Sequence, residues 1–167
     1  MTIRTHLAYL SRYGAVFSQS GQIGVGVVIR DHEGRVIATL SNQVQHPLGP
    51  LEIEAKALEV GVWFTWDVGI REVILECDSK IVSNALLSLC TLPMIISNIL
   101  PWVYHQLQDF RVAQVLYVRR QGNNPTHILA KHVKDIVNSD NFVTWIEENP
   151  SLIESALTYD VLNLSLS

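Results

Sequence analysis

The sequence predicts an α/β domain in which helices cover both faces of a mixed β-sheet. Three observations carry this. Residues 8–40 hold three β-rich runs separated by short polar turns. From Pro50 to Val137, strand-length apolar runs alternate with helically spaced ones. The chain has 167 residues, 48% hydrophobic and 17% charged, which suits one domain with a substantial core and argues against disorder.

The elements follow in order. Ala8 to Phe17 reads as a first strand, with Ser18 to Gln22 as its turn. Gly24 to Ile29 alternates small and β-branched residues, Asp31-His32-Glu33-Gly34 turns the chain, and Arg35 to Leu40 returns as a second β-rich run. Two such runs joined by a short Gly-containing loop predict a hairpin, so the first third is a three-stranded antiparallel meander. Gly49-Pro50 opens a helix. Proline is tolerated in a first turn, and Glu52 and Glu54 suit the positive end of the helix dipole. Ile53, Ala57, Val60 and Phe64 recur at helical spacing and should face the core; Gly69 stops the helix. Glu72 to Cys77 is a short strand. Asp78-Ser79 caps the next helix, with Ile81, Val82, Ala85 and Leu86 on its apolar side. Pro93 breaks the pattern. Ile95 to Leu107 reads as a helix with a kink or restart at Pro101. Val112 to Val118 is a strand and Thr126 to Val137 a helix. Phe142 to Leu164 is an extra segment in which Trp145, Ile146, Leu152, Ile153, Ala156 and Leu157 suit a short helix or two packed back on the domain.

A meander followed by βα units gives a mixed sheet with helices on its faces. The expected division is a domain over residues 8–138 and a C-terminal tail over 139–167. No apolar run reaches the roughly 20 residues that span a bilayer; Ile95 to Tyr104 is interrupted by Ser97, Asn98 and Pro101. Met1 to Tyr13 carries Arg4 and Arg12 and no sustained apolar run, which reads against a secretory leader and leaves an organellar presequence open. Cys77 and Cys90 form no disulfide framework or metal spacing, and both read as buried thiols of a reducing compartment. The expected location is intracellular, cytoplasmic or nuclear, and away from membranes. A net charge of −4 and a pI near 5.8 argue against a strongly electrostatic nucleic-acid binder, though a local basic patch is compatible with them.

Four pieces, in this order and spacing, resemble one known fold: Gly26-Val27-Val28-Ile29-Arg30-Asp31-His32-Glu33-Gly34, Glu52-Ile53-Glu54-Ala55-Lys56-Ala57-Leu58, Glu76-Cys77-Asp78-Ser79, and the block from Arg119 to Lys131. Together they resemble the ribonuclease H fold, and within it the plant family of stand-alone ribonuclease H-like domains. The resemblance covers Gly14 to Val137. It implies a three-layer fold with a five-stranded sheet in the order 3-2-1-4-5. It also implies a site of four acidic residues holding two divalent cations, Mg²⁺ or Mn²⁺, that cut the RNA strand of RNA–DNA hybrids.

Carried over residue by residue, the resemblance assigns Glu54 to the helix glutamate and Asp78 to the strand-end aspartate. These are the two expected metal ligands. The plainer alternatives are a carboxylate favouring the helix N-terminus for Glu54 and an N-cap for Asp78, the latter compatible with a site role. The first-strand aspartate falls on Tyr13, and no Asp or Glu occurs anywhere in Met1 to Arg30. The last-helix aspartate falls on His127, either a ligand better suited to Mn²⁺ or Zn²⁺ than to Mg²⁺ or a residue that caps or packs the helix start. The resemblance therefore implies a domain that binds nucleic acid, an RNA–DNA hybrid or structured RNA, with an ancestral endonuclease site degraded in this chain. The alternative is a catalytically silent interaction domain with a protein partner on the C-terminal tail. Arg119, Arg120 and Asn123 are candidate contacts to phosphates and sugars, against the reading of a solvated turn. Trp63, Trp66, Trp102 and Trp145 read as core or rim anchors. Gly24-x-Gly26 precedes a strand and is no dinucleotide fingerprint.

Overall fold

The computed structural model describes residues 8–17, 22–44, 48–119, 124–132, 142–148 and 150–158. The first three strands, β1 (Ala8–Phe17), β2 (Gln22–Arg30) and β3 (Val36–Val44), form the expected antiparallel meander. The β2–β3 turn is built by Asp31, whose carboxylate accepts the backbone N–H groups of Glu33 and Arg35 at 2.9 Å each. The Arg35 side chain adds a further bond at 2.9 Å. Burial pushes the Asp31 carboxyl up, but the bonds from Arg35 and from the Glu33 amide outweigh it and hold it below the usual aspartate value. Gly34 takes φ +79°, the left-handed position that only glycine occupies freely.

Helix α1 (Pro50–Asp67) begins as its sequence requires. The Glu52 carboxylate accepts the Gly49 N–H at 2.8 Å, so Glu52 closes the helix N-terminus. Ile53, Ala57, Val60 and Phe64 are all buried, and Gly69 at φ +89° ends the helix. Strand β4 (Glu72–Cys77) follows, then α2 (Lys80–Leu86). The cap of α2 is Ser79, whose hydroxyl accepts the Val82 N–H. Asp78 therefore precedes the cap and does not supply it. Val82 and Leu86 of α2 are buried, whereas Ile81 is exposed, because a helix this short turns only one narrow stripe to the core.

The expected helix from Ile95 to Leu107 is two pieces, a 3-10 turn at Met94–Ile96 and α3 (Leu100–Asp109). Pro101 lies in the first turn of α3, where its missing N–H costs nothing, so it restarts the helix. Strand β5 (Val112–Tyr117) and α4 (Asn124–His132) complete the expected order. Residues 133–137, assigned to this helix from sequence, lie outside the described residues.

The sheet contains the five expected strands in the expected order and a sixth: β5-β4-β1-β2-β3-β6. Strand β6 is Phe142–Ile146, paired antiparallel with β3 from Ala38 opposite Ile146 to Asn42 opposite Phe142. This corrects the helical reading of that stretch. Val143 and Trp145 turn inward while Phe142, Thr144 and Ile146 are exposed; all five are β-branched or aromatic, the strand-forming signal that the helical reading overrode. Helical structure does follow at residues 151–158.

Two apolar clusters hold the layers. The larger packs α1 and α3 on one face of the sheet through Leu10, Val25, Leu40, Leu58, Phe64 and Val103. The smaller gathers Val28, Leu129 and Ile153, with Trp145, Leu152 and Leu157 against them, so the C-terminal segment covers α4. Trp66 is held between the Phe110 ring, 5.2 Å away edge-on, and the Arg71 guanidinium, 3.6 Å from its ring centroid. Of the cysteines, Cys77 is buried as expected. Cys90 is exposed, because the loop after α2 carries it away from the core. Among the described residues no helix is long and apolar enough to cross a membrane.

Candidate functional site

Strand β1 lies between β2 and β4 and runs parallel to β4, with Leu10 level with Leu75. Three residues further on each chain stand Tyr13 and Asp78, so the same register carried forward sets position 13 beside the end of β4. Asp78 is held there from both sides. The Val118 N–H donates to the carbonyl of Cys77 at 2.9 Å, and the Cys77 thiol donates to the Ser79 carbonyl at 3.3 Å. The half-buried Asp78 thus sits between the last rung of the sheet and the cap of α2.

Two glycines bring the helices in. A Cβ on Gly14 would come within 2.2 Å of the Ile53 side chain. The first turn of α1, with half-buried Glu54 next in sequence, therefore rests directly on β1 one residue beyond Tyr13. Gly26 is the cross-strand partner of Tyr13. A Cβ there would lie 2.0 Å from the Thr126 carbonyl oxygen and 2.7 Å from the Ala130 nitrogen. The first turn of α4, which carries half-buried His127, is seated on that bare backbone. Ser41, the partner of Gly26 on β3, secures it by donating its hydroxyl to the Leu129 carbonyl at 2.6 Å. Sequence reasoning placed Gly24-x-Gly26 before a strand, whereas both lie inside β2, and it read neither Gly14 nor Gly26 as the seat of a helix. The available signal was glycine inside a strand, which marks close approach of another backbone.

The backbones bearing Tyr13, Glu54, Asp78 and His127 are thus placed by neighbouring rungs of the sheet and the helix turns that rest on them. His127 has its imidazole pKa lowered, first by burial and then by the charge of Lys131, so it is neutral at pH 7. Arg119 is exposed one residue after the Val118 rung, at the same sheet end as Asp78. Arg120 and Asn123 lie outside the described residues.

The donor set does not fit a two-cation centre. Such a centre needs several hard oxygen ligands and a carboxylate shared by both ions. Among the described residues the candidate positions offer Glu54, Asp78 and a neutral imidazole, and Met1 to Arg30 contains no carboxylate. Among the described residues, no three His, Cys, Asp or Glu side chains are grouped closely enough to hold a metal ion.

The model of the reverse transcriptase-like family matches residues 12–133. No curated protein sequence matches the chain. Among solved structures, ribonuclease H1 of the halophilic archaeon Halobacterium salinarum is similar, with a TM-score of 0.67 and 22% identity, over 78% of this chain and 97% of that one. The N-terminal ribonuclease H domain of a Mycobacterium tuberculosis protein, fused to maltose-binding protein, gives 0.68 and 18%, over 78% and 94%. LC11 ribonuclease H1, in complex with an RNA/DNA hybrid, gives 0.64 and 17%, over 75% and 94%.

Proposed function

We propose that this chain, which belongs to the reverse transcriptase-like family and folds as a ribonuclease H-like domain, binds RNA–DNA hybrid or structured RNA and cleaves it poorly or not at all. The reading is supported by the sequence of β1, the strand beside β4: it carries Tyr13 where the resemblance expects an aspartate, and Met1 to Arg30 contains no carboxylate that could stand in. Glu54 and Asp78 are the inherited ligands and His127 the substituted one. A cation held by this set would polarise a phosphodiester oxygen, but the set lacks the shared ligand that a second ion requires. Mg²⁺ or Mn²⁺ is the cofactor only of a repaired site.

Binding is supported by the hybrid held by LC11 ribonuclease H1 and by exposed Arg119 at the site's rim. Arg120 and Asn123 are proposed to extend that contact along the sugar–phosphate backbone. With a net charge of −4, the affinity should be modest and depend weakly on salt, because few phosphates are neutralised. The test is fluorescence anisotropy with a labelled blunt hybrid, run beside a cleavage assay with Mg²⁺ or Mn²⁺ and a Glu54→Ala control. Saturable binding without cleavage is expected. Absence of binding at low salt defeats the reading.

A second reading, a protein-interaction domain, is favoured by a different observation. Residues 81–108 contain no Asp, Glu, Lys or Arg, and Ile81, Leu87, Leu89, Met94 and Ile95 within them are exposed. Exposed apolar surface of this kind suits an apolar partner. That reading predicts no hybrid binding at all.

A further inference from the structure

We infer that the cleft between α1, α3 and the paired edge of β3 and β6 receives an unpaired base, a purine in preference to a pyrimidine, from a single-stranded segment adjoining the bound duplex. The inference rests on the nucleic-acid reading above. The cleft has a volume of about 440 Å³ and is lined by Asn42, Lys56, Glu59, Trp63, Trp102 and Phe142. That volume falls within the range of small-ligand sites, roughly 300–1,000 Å³.

Its chemistry selects the ligand. Trp63, Trp102 and Phe142 retain 43%, 39% and 38% exposure, three large rings on one concave surface. The charged groups in the cleft, Lys56 and Glu59, form an ion pair with each other. A quaternary ammonium would meet the lysine and a phosphate would meet the glutamate, so neither isolated charge is favoured. A neutral planar ring that stacks on indole is favoured, and base-on-aromatic stacking is tolerant of base identity. The Asn42 amide, with N–H donors and a carbonyl acceptor, can pair with the donor–acceptor edge of an unpaired base, and the larger ring system of a purine covers more of the exposed indoles.

The register fixes the cleft relative to the candidate site. Gly14, Val25, Asn42 and Phe142 are successive cross-strand partners. They occupy one row, on the face where Gly14 meets Ile53 of α1. Adjacent strands lie about 4.8 Å apart, so Asn42 stands about 10 Å across the sheet from Gly14. Helix α1 carries Glu54 near its start, then Lys56, Glu59 and Trp63 further along the cleft.

The experiment uses the full chain and two sets of probes. Adenosine, guanosine, cytidine and tetramethylammonium are titrated against intrinsic tryptophan fluorescence. Labelled hybrids with a blunt end, a short single-stranded deoxyadenosine overhang or an abasic overhang are compared by anisotropy. The expected results are stronger quenching by adenosine and guanosine than by cytidine, and roughly 5- to 100-fold tighter binding of the deoxyadenosine overhang than of the other ends. Trp63→Ala and Trp102→Ala should remove that gain and leave blunt-end affinity unchanged; Trp63→Phe should retain most of it. Both tryptophans are surface residues, and circular dichroism checks that the variants fold. Adenosine quenching without hybrid binding supports the cleft while removing the duplex reading. Equal affinity for all three ends together with no adenosine quenching overturns the inference, as does displacement of adenosine by tetramethylammonium.

Discussion

Gly26 and Thr126 are in backbone contact: a Cβ on the glycine would stand 2.0 Å from the threonine carbonyl oxygen. Helix α4 can therefore reach the rung of Tyr13 only because β2 has no side chain at that point. The clashing atoms are backbone, and no flexible side chain can move aside. Gly26→Ala should cost at least about 1–3 kcal/mol, the usual range for overpacking. Gly34→Ala makes the comparison, since Gly34 has open space around it and only a positive φ to strain; its cost should be about 1 kcal/mol. Urea denaturation measures both. A Gly26→Ala variant no less stable than Gly34→Ala would contradict the seating of α4.

Ser41 fixes the same helix from the neighbouring strand. Its hydroxyl is buried and bonds the Leu129 carbonyl at 2.6 Å. Ser41→Ala leaves that carbonyl without its donor and should destabilise by about 1–3 kcal/mol. Ser41→Thr keeps the donor and should recover part of the loss. Denaturation midpoints of the pair distinguish a lost hydrogen bond from a lost contact.

His127 gives a pH signature. Its folded-state pKa lies below the ordinary imidazole value because of burial and Lys131. Between that lowered value and about pH 6.5, the unfolded chain binds more protons than the folded one. Stability contributed by neutral His127 is therefore present above the unfolded value and is lost as pH falls through this window. In His127→Gln the fall in melting temperature across the window should be shallower than in the natural chain. Parallel curves would show that the imidazole does not titrate differently on folding.

Much of this arrangement is legible in the sequence where local rules and tertiary packing agree. Pro50, Glu52 and Gly69 bracket α1 by chemistry that acts within one turn, and the buried row from Ile53 to Phe64 follows its period. Strand β6 pairs with the edge of β3, and the strand-forming residues Phe142, Val143, Thr144, Trp145 and Ile146 signalled it locally, but the helical reading of the longer segment overrode them. Legibility fails where the deciding neighbour is distant. The cap of α2 passes from Asp78 to Ser79 because the Cys77 rung holds Asp78 at the strand end. The identities of the candidate site, Glu54, Asp78, His127 and Tyr13, come from the resemblance alone. The site's seating on Gly14 and Gly26 was not legible, since a glycine shows what approaches it only once the fold is formed.

The central claim is that Tyr13 interrupts an otherwise inherited site. Single-turnover cleavage of a labelled RNA–DNA hybrid by the natural chain and by Tyr13→Asp tests it most directly. The account predicts little or no cleavage by the natural chain. In Tyr13→Asp it predicts partial recovery, greater with Mn²⁺ than with Mg²⁺ because His127 remains a nitrogen ligand, and abolished again by Glu54→Ala. Robust Mg²⁺-dependent cleavage by the natural chain, lost in Glu54→Ala, would contradict it.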